Sequence, residues 1–203
     1  MSLLHRATIA ATGGIPRPQL DLKAQTFANI FNQVFGFKLT PPFDPYLNTI
    51  NYLLASNSIP YVGFVGYVGT IPVFKSSYFR RLVAGLLGVE AGQDAVLRAL
   101  LYERANEKVM PYDITVAEFI SRTAELKNRL AMCGIKDEGI IIPLSLGAEN
   151  RTNSNILSAH TDSLSYARTP PEILRIVYGT GSEYRPGGFY PNGAGRNIAR
   201  RYL

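Results

Sequence analysis

Apolar residues recur at helical spacing from Ser77 to Val109, and this is the strongest periodic pattern in the chain. About 30 residues with a rise of about 1.5 Å each predict a helix roughly 45 Å long. Ser76 or Ser77 can cap its start, and Pro111 ends it because proline cannot continue a helix. On a helical wheel, one arc of roughly 100° holds the residues that we expect to face the core. They are Leu82, Leu86, Val89, Val96, Leu97 and Leu100.

Start and stop signals place four shorter helices along the chain. They are predicted from Asp21 to about Phe35, from Asp44 to about Ser56, from Thr115 to about Met132 and from Thr169 to about Tyr178, with the first residue of each as N-cap. Glu118 follows Thr115 by three positions, which is a capping-box pattern. Gly134 stands where a left-handed residue commonly ends a helix. Residues 134–168 lack a clear period and predict a long loop.

The apolar segment 59–69 allows two interpretations. Its composition fits a strand, but it also fits a helix kinked at Pro60. Gly63, Gly66 and Gly69 recur every three residues, which would let one helix face approach a neighbour closely. We therefore favour the kinked helix, and the fold class predicted is all-α, a helical bundle with long loops.

Composition and charge exclude several classes of protein. The chain has 203 residues, 46% of them hydrophobic and 18% charged, so it is neither disordered nor too polar to form a core. Cys133 is the only cysteine, and His5 and His160 are the only histidines, which excludes an internal disulfide framework and a cysteine-rich zinc site. The net charge is +6. The basic residues are scattered, so we expect a solvated basic surface rather than a nucleic-acid partner.

Membrane and targeting signals are equally weak in this sequence. No run of apolar residues approaches the length that a membrane-spanning helix needs. The N-terminal apolar run is short and interrupted by polar residues, unlike a signal peptide. Taken as complete, the sequence predicts a cytoplasmic protein.

Two polar residues interrupt the apolar arc of the long helix. Gln93 lies at its centre and Glu90 at its edge, one helical turn apart. This is the spacing of Glu-x-x-His in a four-helix carboxylate-bridged di-metal bundle, with Gln in place of His. The alternative is structural, with Glu90 paired to a buried arginine and Gln93 bonded to neighbouring polar groups.

Several longer segments resemble the plant desiccation-related, ferritin-like proteins. These segments are 82–96 (LVAGLLGVEAGQDAV), 101–105 (LYERA), 133–139 (CGIKDEG) and 187–191 (GGFYP). The resemblance extends from about His5 to Leu203. It implies a ferritin-like bundle, and some members of the family are called ferritin-like catalases, which implies manganese or iron and peroxide chemistry. Other members are known mainly as stress-induced proteins.

The resemblance also implies an incomplete metal site. Family members carry a longer N-terminal region with a secretion signal and the first bundle helices, so this chain is identified as N-terminally truncated. His5 matches a ligand histidine, but Ser2 stands where its glutamate partner belongs. A third-helix glutamate would fall near Ile59 or Pro60, where no ligand exists. His5, Glu90 and Gln93 remain as a vestigial metal site, for which we expect no bound cofactor.

The function predicted is therefore a desiccation-related or stress-related ferritin-like protein with a degenerate metal site and a structural or protective role. The alternative is a ferritin-like catalase, with a Mn or Fe di-metal centre completed by missing helices or by a partner chain. A third hypothesis is a binding module for polyanions or cell-wall polysaccharide that uses the basic half of the chain. Whether the protein is an enzyme stays open at this point.

The remaining expectations concern organisation and surface. We predict a partial helical bundle over residues 1–132, and a loop-rich extension with a short helix, packed on the bundle, over 133–203. The apolar arc of the long helix would lie open, which predicts a homo-oligomer formed through that face. Asn150 begins a glycosylation sequon in a predicted surface loop. The resemblance implies a secreted or cell-wall location.

Overall fold

The computed structural model describes residues 18–195, and these form a helical protein with one short β-hairpin. The helices are α1 (Ala24–Phe35), α2 (Thr49–Asn57), α3 (Pro60–Thr70), α4 (Ser77–Tyr102), α5 (Val116–Ala131) and α6 (Pro170–Tyr178). The antiparallel strands are β1 (Lys108–Val109) and β2 (Ile114–Thr115). The all-α class is confirmed.

Two of the predicted helix starts are confirmed by their caps. The Thr115 side chain accepts a hydrogen bond from the backbone N–H of Glu118, at the start of α5. At α6, Thr169 and Glu172 form a reciprocal capping box, followed by Pro170 in the first turn. Both signals lie within four consecutive residues, so the sequence carries them without help from distant contacts.

The other two predicted N-caps are wrong. The Asp21 and Asp44 carboxylates accept hydrogen bonds from the backbone two residues onward, so each stabilises a turn in front of a helix. Helix α1 starts after Lys23, with no side-chain cap. Helix α2 is capped by Asn48, whose side chain accepts from the backbone N–H of Asn51.

Residues 60–70 are helical, which excludes the strand, but the predicted kink is a break. Helix α2 ends at Asn57, and Pro60 opens the separate helix α3. Proline is favoured in a first turn because its missing N–H would have had no helical partner there. The glycine prediction is confirmed, because the open sides of Gly63, Gly66 and Gly69 lie against Glu90, Ile173 and Arg168.

The long helix is shorter than predicted. Helix α4 ends at Tyr102, because residues 108–109 pair with residues 114–115 instead of continuing the helix. Pro111 therefore lies inside the hairpin turn. At the end of α5, the left-handed residue is Met132, two positions before the predicted Gly134.

The main core lies between α1, α5 and the end of α4. Phe31 and Phe119 stand at its centre, with ring centroids 5.7 Å apart, and Leu101 is fully buried beside them. Phe189 of the C-terminal segment packs edge-on against Phe27 of α1. The segment after residue 132 therefore contributes directly to this core.

The face of α4 predicted to be buried is only partly covered, because Leu82, Leu86, Leu97 and Leu100 are half-buried rather than buried. Leu97 and Leu100 pack against the core, but Val89 and Val96 are each 61% exposed. The buried residues of α4 are Val83, Asp94, Arg98 and Leu101, on a face turned by roughly 110° from the predicted arc. Asp94 and Arg98 lie outside the predicted apolar arc and are buried as a pair.

The exposed arc forms one wall of an apolar groove of about 870 Å³. The opposite wall comes from α2 and the turn before it, with Tyr46 and Tyr52 more than half exposed. Within residues 18–195, no helix combines the length and apolar character needed to cross a bilayer.

Candidate functional site

Glu90 is held between α3 and α4. Its carboxylate occupies the space in front of Gly63, where any side chain would collide with it. The Tyr67 hydroxyl, one turn further along α3, donates a hydrogen bond to Glu90 Oε1 at 3.2 Å. Glycine at position 63 thus admits the carboxylate, and Tyr67 fixes one of its oxygens.

The Tyr67 hydroxyl is a hydrogen-bond donor at physiological pH. Burial, and then the negative charge of Glu90, raise the pKa of Tyr67 to about 12. A phenol with this pKa stays protonated near neutral pH. It can therefore orient the Glu90 carboxylate, but it supplies no anionic ligand.

Glu90 and Tyr67 line a cavity of about 400 Å³ between α3, α4 and α6. Gln93 lies at the edge of this cavity and also borders the apolar groove, and its side chain is exposed. Tyr190 from the C-terminal segment closes another side. The structure thus brings Glu90 and Gln93 to one cavity and adds Tyr67 and Tyr190 to its lining.

These side chains do not fit a di-metal centre. Such a centre in a four-helix bundle uses about four carboxylates and two imidazoles. The cavity brings two tyrosine phenols and an exposed amide to Glu90, and residues 18–195 contain no group of three His, Cys, Asp or Glu side chains arranged to hold a metal. Ile59 and Pro60 bring no ligand to the same cavity. His5 lies outside the described residues.

Comparison with known proteins identifies the family. The profile described as "Ferritin-like domain" matches residues 3–103. Ferritin-like catalase Nec2 of Nesocodon mauritianus is 60% identical over 198 residues, which is 98% of this chain and 64% of that protein. Desiccation-related protein PCC13-62 of Craterostigma plantagineum is 50% identical over 186 residues, 92% of this chain and 59% of that protein. The chain belongs to the ferritin-like proteins.

This ferritin-like chain spans about three fifths of the length of the curated relatives that it matches. Both relatives come from plants, and their names cover the two branches that the sequence segments suggested. No solved structure matches it at a significant level.

The most extensive polar arrangement of the ferritin-like chain was not anticipated. Asp94, Arg98, Lys127 and Asp137 form a buried ionic cluster beneath α4, each at most 6% exposed. The Arg98 guanidinium contacts Asp94 at 2.7 Å and Asp137 at 3.2 Å, and the Lys127 ammonium contacts Asp137 at 3.1 Å. Arg98 also donates to the backbone carbonyls of Gly139 and Asn155.

The pKa values of the two carboxyl groups in the buried ionic cluster are shifted in opposite directions. Burial alone would raise the pKa of Asp137, but the charges of Lys127 and Arg98 hold it below its usual value. For Asp94, burial prevails over Arg98 and the pKa is raised. Within the described residues, Asp94 Oδ1 has no hydrogen-bond partner. The sequence signal was the spacing of Asp94 and Arg98, one helical turn apart on one face.

A second ionic group joins α6 to the same region. The Glu172 carboxylate, already part of the α6 capping box, contacts Lys136 at 2.8 Å and the buried Arg168 at 3.4 Å. Burial would raise the pKa of Glu172, but hydrogen bonds from Lys136 and Thr169 lower it. These contacts join separate parts of the segment after residue 132 to one another, and Arg168 also donates to Asn128 Oδ1 of α5 at 2.8 Å, which is a structural role.

The remaining residues considered from the sequence lie on the surface or near it. Asn150 is exposed in a short 3₁₀ turn, so its sequon is accessible. Cys133 is an exposed free cysteine. His160 is half-buried, with its ring edge-on to Tyr166 at 5.9 Å between centroids.

Proposed function

We propose that this chain is a desiccation-related or stress-related ferritin-like protein with a degenerate metal site and a structural or protective role. The observation that carries the proposal is the environment of Glu90. Its carboxylate lies against Gly63 and accepts a hydrogen bond from the Tyr67 hydroxyl. Gln93, which would have to replace a ligand histidine, is exposed. The 50% identity to a desiccation-related protein supports the same conclusion.

The metal content of the protein tests the degenerate site. The chain is purified without chelators, and metals are measured by mass spectrometry. We expect manganese and iron well below one atom per chain, because too few donor groups surround Glu90 to hold two cations. About two atoms of either metal per chain, lost in Glu90→Ala but retained in the exposed-site control Glu125→Ala, would overturn the proposal.

A protective role is tested by drying. A labile enzyme is dried and rehydrated with this chain or with an equal mass of serum albumin, and its recovered activity is measured. We expect greater recovery with the ferritin-like chain. Equal recovery with both proteins would remove the protective role without touching the question of the metal.

The second candidate is a ferritin-like catalase, with Mn or Fe. It is favoured by the 60% identity to a protein of that name and by the presence of Glu90 in a cavity. His5, Glu90 and Gln93 would then be ligands, completed by groups from elsewhere. Peroxide turnover that needs added Mn or Fe, disappears in Glu90→Ala and survives in Glu125→Ala would establish this alternative.

We further propose that the chain forms homo-oligomers through the apolar groove and that it works outside the cell, as the family resemblance implies. The groove supports the formation of homo-oligomers, because exposed apolar surface of this extent favours association.

The accessible sequon at Asn150 is compatible with a location outside the cell. A mobility shift after endoglycosidase treatment of protein from extracellular fluid, lost in Asn150→Gln, is the expected result.

A further inference from the structure

The segment after the family match encloses a cavity of its own. Residues 138–166 surround about 660 Å³, which is within the usual range for small-molecule sites. The family profile ends at residue 103, so this C-terminal cavity lies entirely outside the part of the chain that defines the ferritin-like family. It is also separate from the cavity that contains Glu90.

A carboxylate oriented by a tyrosine lines the C-terminal cavity. The Tyr166 hydroxyl donates to Glu138 Oε1 at 3.2 Å. Oε2 of the same carboxylate has no hydrogen-bond partner within residues 18–195, and it is available as an acceptor. Burial, and then the negative charge of Glu138, raise the pKa of Tyr166. This phenol therefore remains the donor and the carboxylate remains the acceptor.

A directed donor lies near this acceptor. His160 Nδ1 accepts a hydrogen bond from the backbone N–H of Asp162 at 3.1 Å. Nδ1 also lies 3.5 Å from the Asp162 carboxylate, and the backbone bond to Nδ1 corresponds to the neutral imidazole with its ring proton on Nε2. The imidazole lies edge-on to Tyr166, whose hydroxyl bonds to Glu138. Tyr166 therefore contacts both the donor residue and the acceptor residue.

The floor of the cavity is fixed by the core. Asn155 is 4% exposed. Its side-chain amide donates to the backbone carbonyl of Gly139, and its backbone carbonyl accepts from Arg98 of the buried ionic cluster. The hydroxyls of Thr152 and Ser154 lie 2.9 Å apart on the adjoining wall. A site anchored in this way keeps its polar groups in place before a ligand binds, which lowers the entropy lost on binding.

The lining selects the chemistry of the ligand. Among the described residues that line the cavity, Glu138 is the only side chain with a fixed charge, and none is a Lys or Arg that would neutralise a phosphate or a carboxylate, which disfavours anions. Hydroxyl and amide groups outnumber this carboxylate, and Ile142, Ile156 and Leu157 add apolar surface between them. Such a mixture suits a ligand with hydroxyl groups at its edges and C–H groups on its faces.

We propose that the C-terminal cavity binds a neutral mono- or disaccharide. Glu138 Oε2 accepts from sugar hydroxyls, His160 Nε2 donates to a sugar oxygen, and the apolar side chains contact the faces of the ring. The proposal does not depend on the metal site or on the protective role, since this cavity and the cavity that contains Glu90 share no lining residue.

Ligand-detected NMR on the full chain tests this site. Glucose, maltose and sucrose are titrated separately to about 50 mM, a range that detects millimolar dissociation constants. We expect saturation transfer to at least one sugar. In Glu138→Gln the dissociation constant should rise about tenfold or more, because a charged acceptor is lost. In Glu125→Gln, the same substitution at an exposed position of α5, it should change by less than about twofold.

A second variant separates a loss of sugar binding from a loss of folded structure. His160→Gln lies in a loop, removes the imidazole donor and should also weaken binding, while both variants keep the wild-type circular dichroism spectrum. Absence of saturation transfer to all three sugars would overturn the proposal. So would equal affinity in Glu138→Gln and Glu125→Gln, or transfer to butylamine, a cationic probe, without transfer to any sugar.

Discussion

Arg98 is 1% exposed, and its guanidinium donates hydrogen bonds to two carboxylates and two backbone carbonyls. The Tyr61 ring adds a cation–π contact at 4.6 Å. Charges can be buried in this way because each has partners of opposite sign at hydrogen-bond distance. The loss of one partner is therefore far more damaging than the loss of a surface ion pair.

We predict that Arg98→Met lowers the free energy of unfolding by about 3–5 kcal/mol, since it leaves Asp94 and Asp137 buried with too few partners. Urea denaturation measures the change. The matched control is Arg122→Met on α5, which breaks an exposed pair with Glu118 at the same i, i+4 spacing. That variant should lose less than about 1 kcal/mol. Similar losses in both variants would contradict the role assigned to the buried ionic cluster.

The lowered pKa of Asp137 predicts a dependence of stability on pH. The ionised carboxylate stabilises the folded state above the unfolded pKa of about 4, and this contribution is lost as the pH falls through the lower folded value. We expect Asp137→Asn to be less stable than the wild type at pH 7, with a gap that narrows below about pH 4. Asp94, whose pKa is shifted the other way, is present in both proteins. Parallel stability curves from pH 7 to the acid limit would contradict this prediction.

The sequence revealed some of these residues and concealed others. Glu90 and Gln93 stood out because they interrupt an apolar arc, and they do share a cavity. Asp94 and Arg98 did not stand out, because a helical wheel selects the apolar positions that face a core and these two residues are charged. Their burial depends on Asp137, which follows Arg98 by 39 positions and comes from a loop without any periodic signal.

Close helix contacts allow a comparison of two glycines at the scale of secondary structure. A side chain at Gly69 of α3 would collide with the backbone carbonyl of Arg168. The backbone at Arg168 is fixed against α3, because its N–H donates to the Val65 carbonyl. We predict that Gly69→Ala lowers the melting temperature and that Gly85→Ala in α4, with no atom within 4 Å of the added carbon, raises it. The second change should add about 0.5–1 kcal/mol of helix stability. Equal effects in thermal unfolding would contradict the close packing of α3.

Helix boundaries show where local signals suffice. The caps at Thr115 and Thr169 use hydrogen bonds between residues three apart, so the sequence predicts both helix starts. The end of α4 could not be predicted in the same way, because it depends on the pairing of β1 with β2. An apolar helical period that continues into a strand hides the point at which the chain turns.

At the scale of the whole molecule, the apolar groove between α2 and α4 governs association. We predict that the sedimentation coefficient rises with protein concentration, and that Val96→Lys abolishes this rise by placing a charge in the groove. Val73→Lys is the matched control, since Val73 is 62% exposed against 61% for Val96 and does not line the groove. A concentration-independent monomer, or the same loss with both variants, would rule out association through this surface.

The buried ionic cluster also constrains the order in which the protein can be completed on the ribosome. Arg98 is synthesised 39 residues before Asp137 and 57 residues before Asn155, whose carbonyl it also binds. Until those residues emerge, α4 carries a guanidinium that has met only one of its carboxylates, while chains generally fold from the N-terminus as they are made. The polar contacts of α4 are therefore completed only when the half of the chain after residue 103 has been made, and we expect a nascent-chain chaperone to encounter this face of α4 before it is covered.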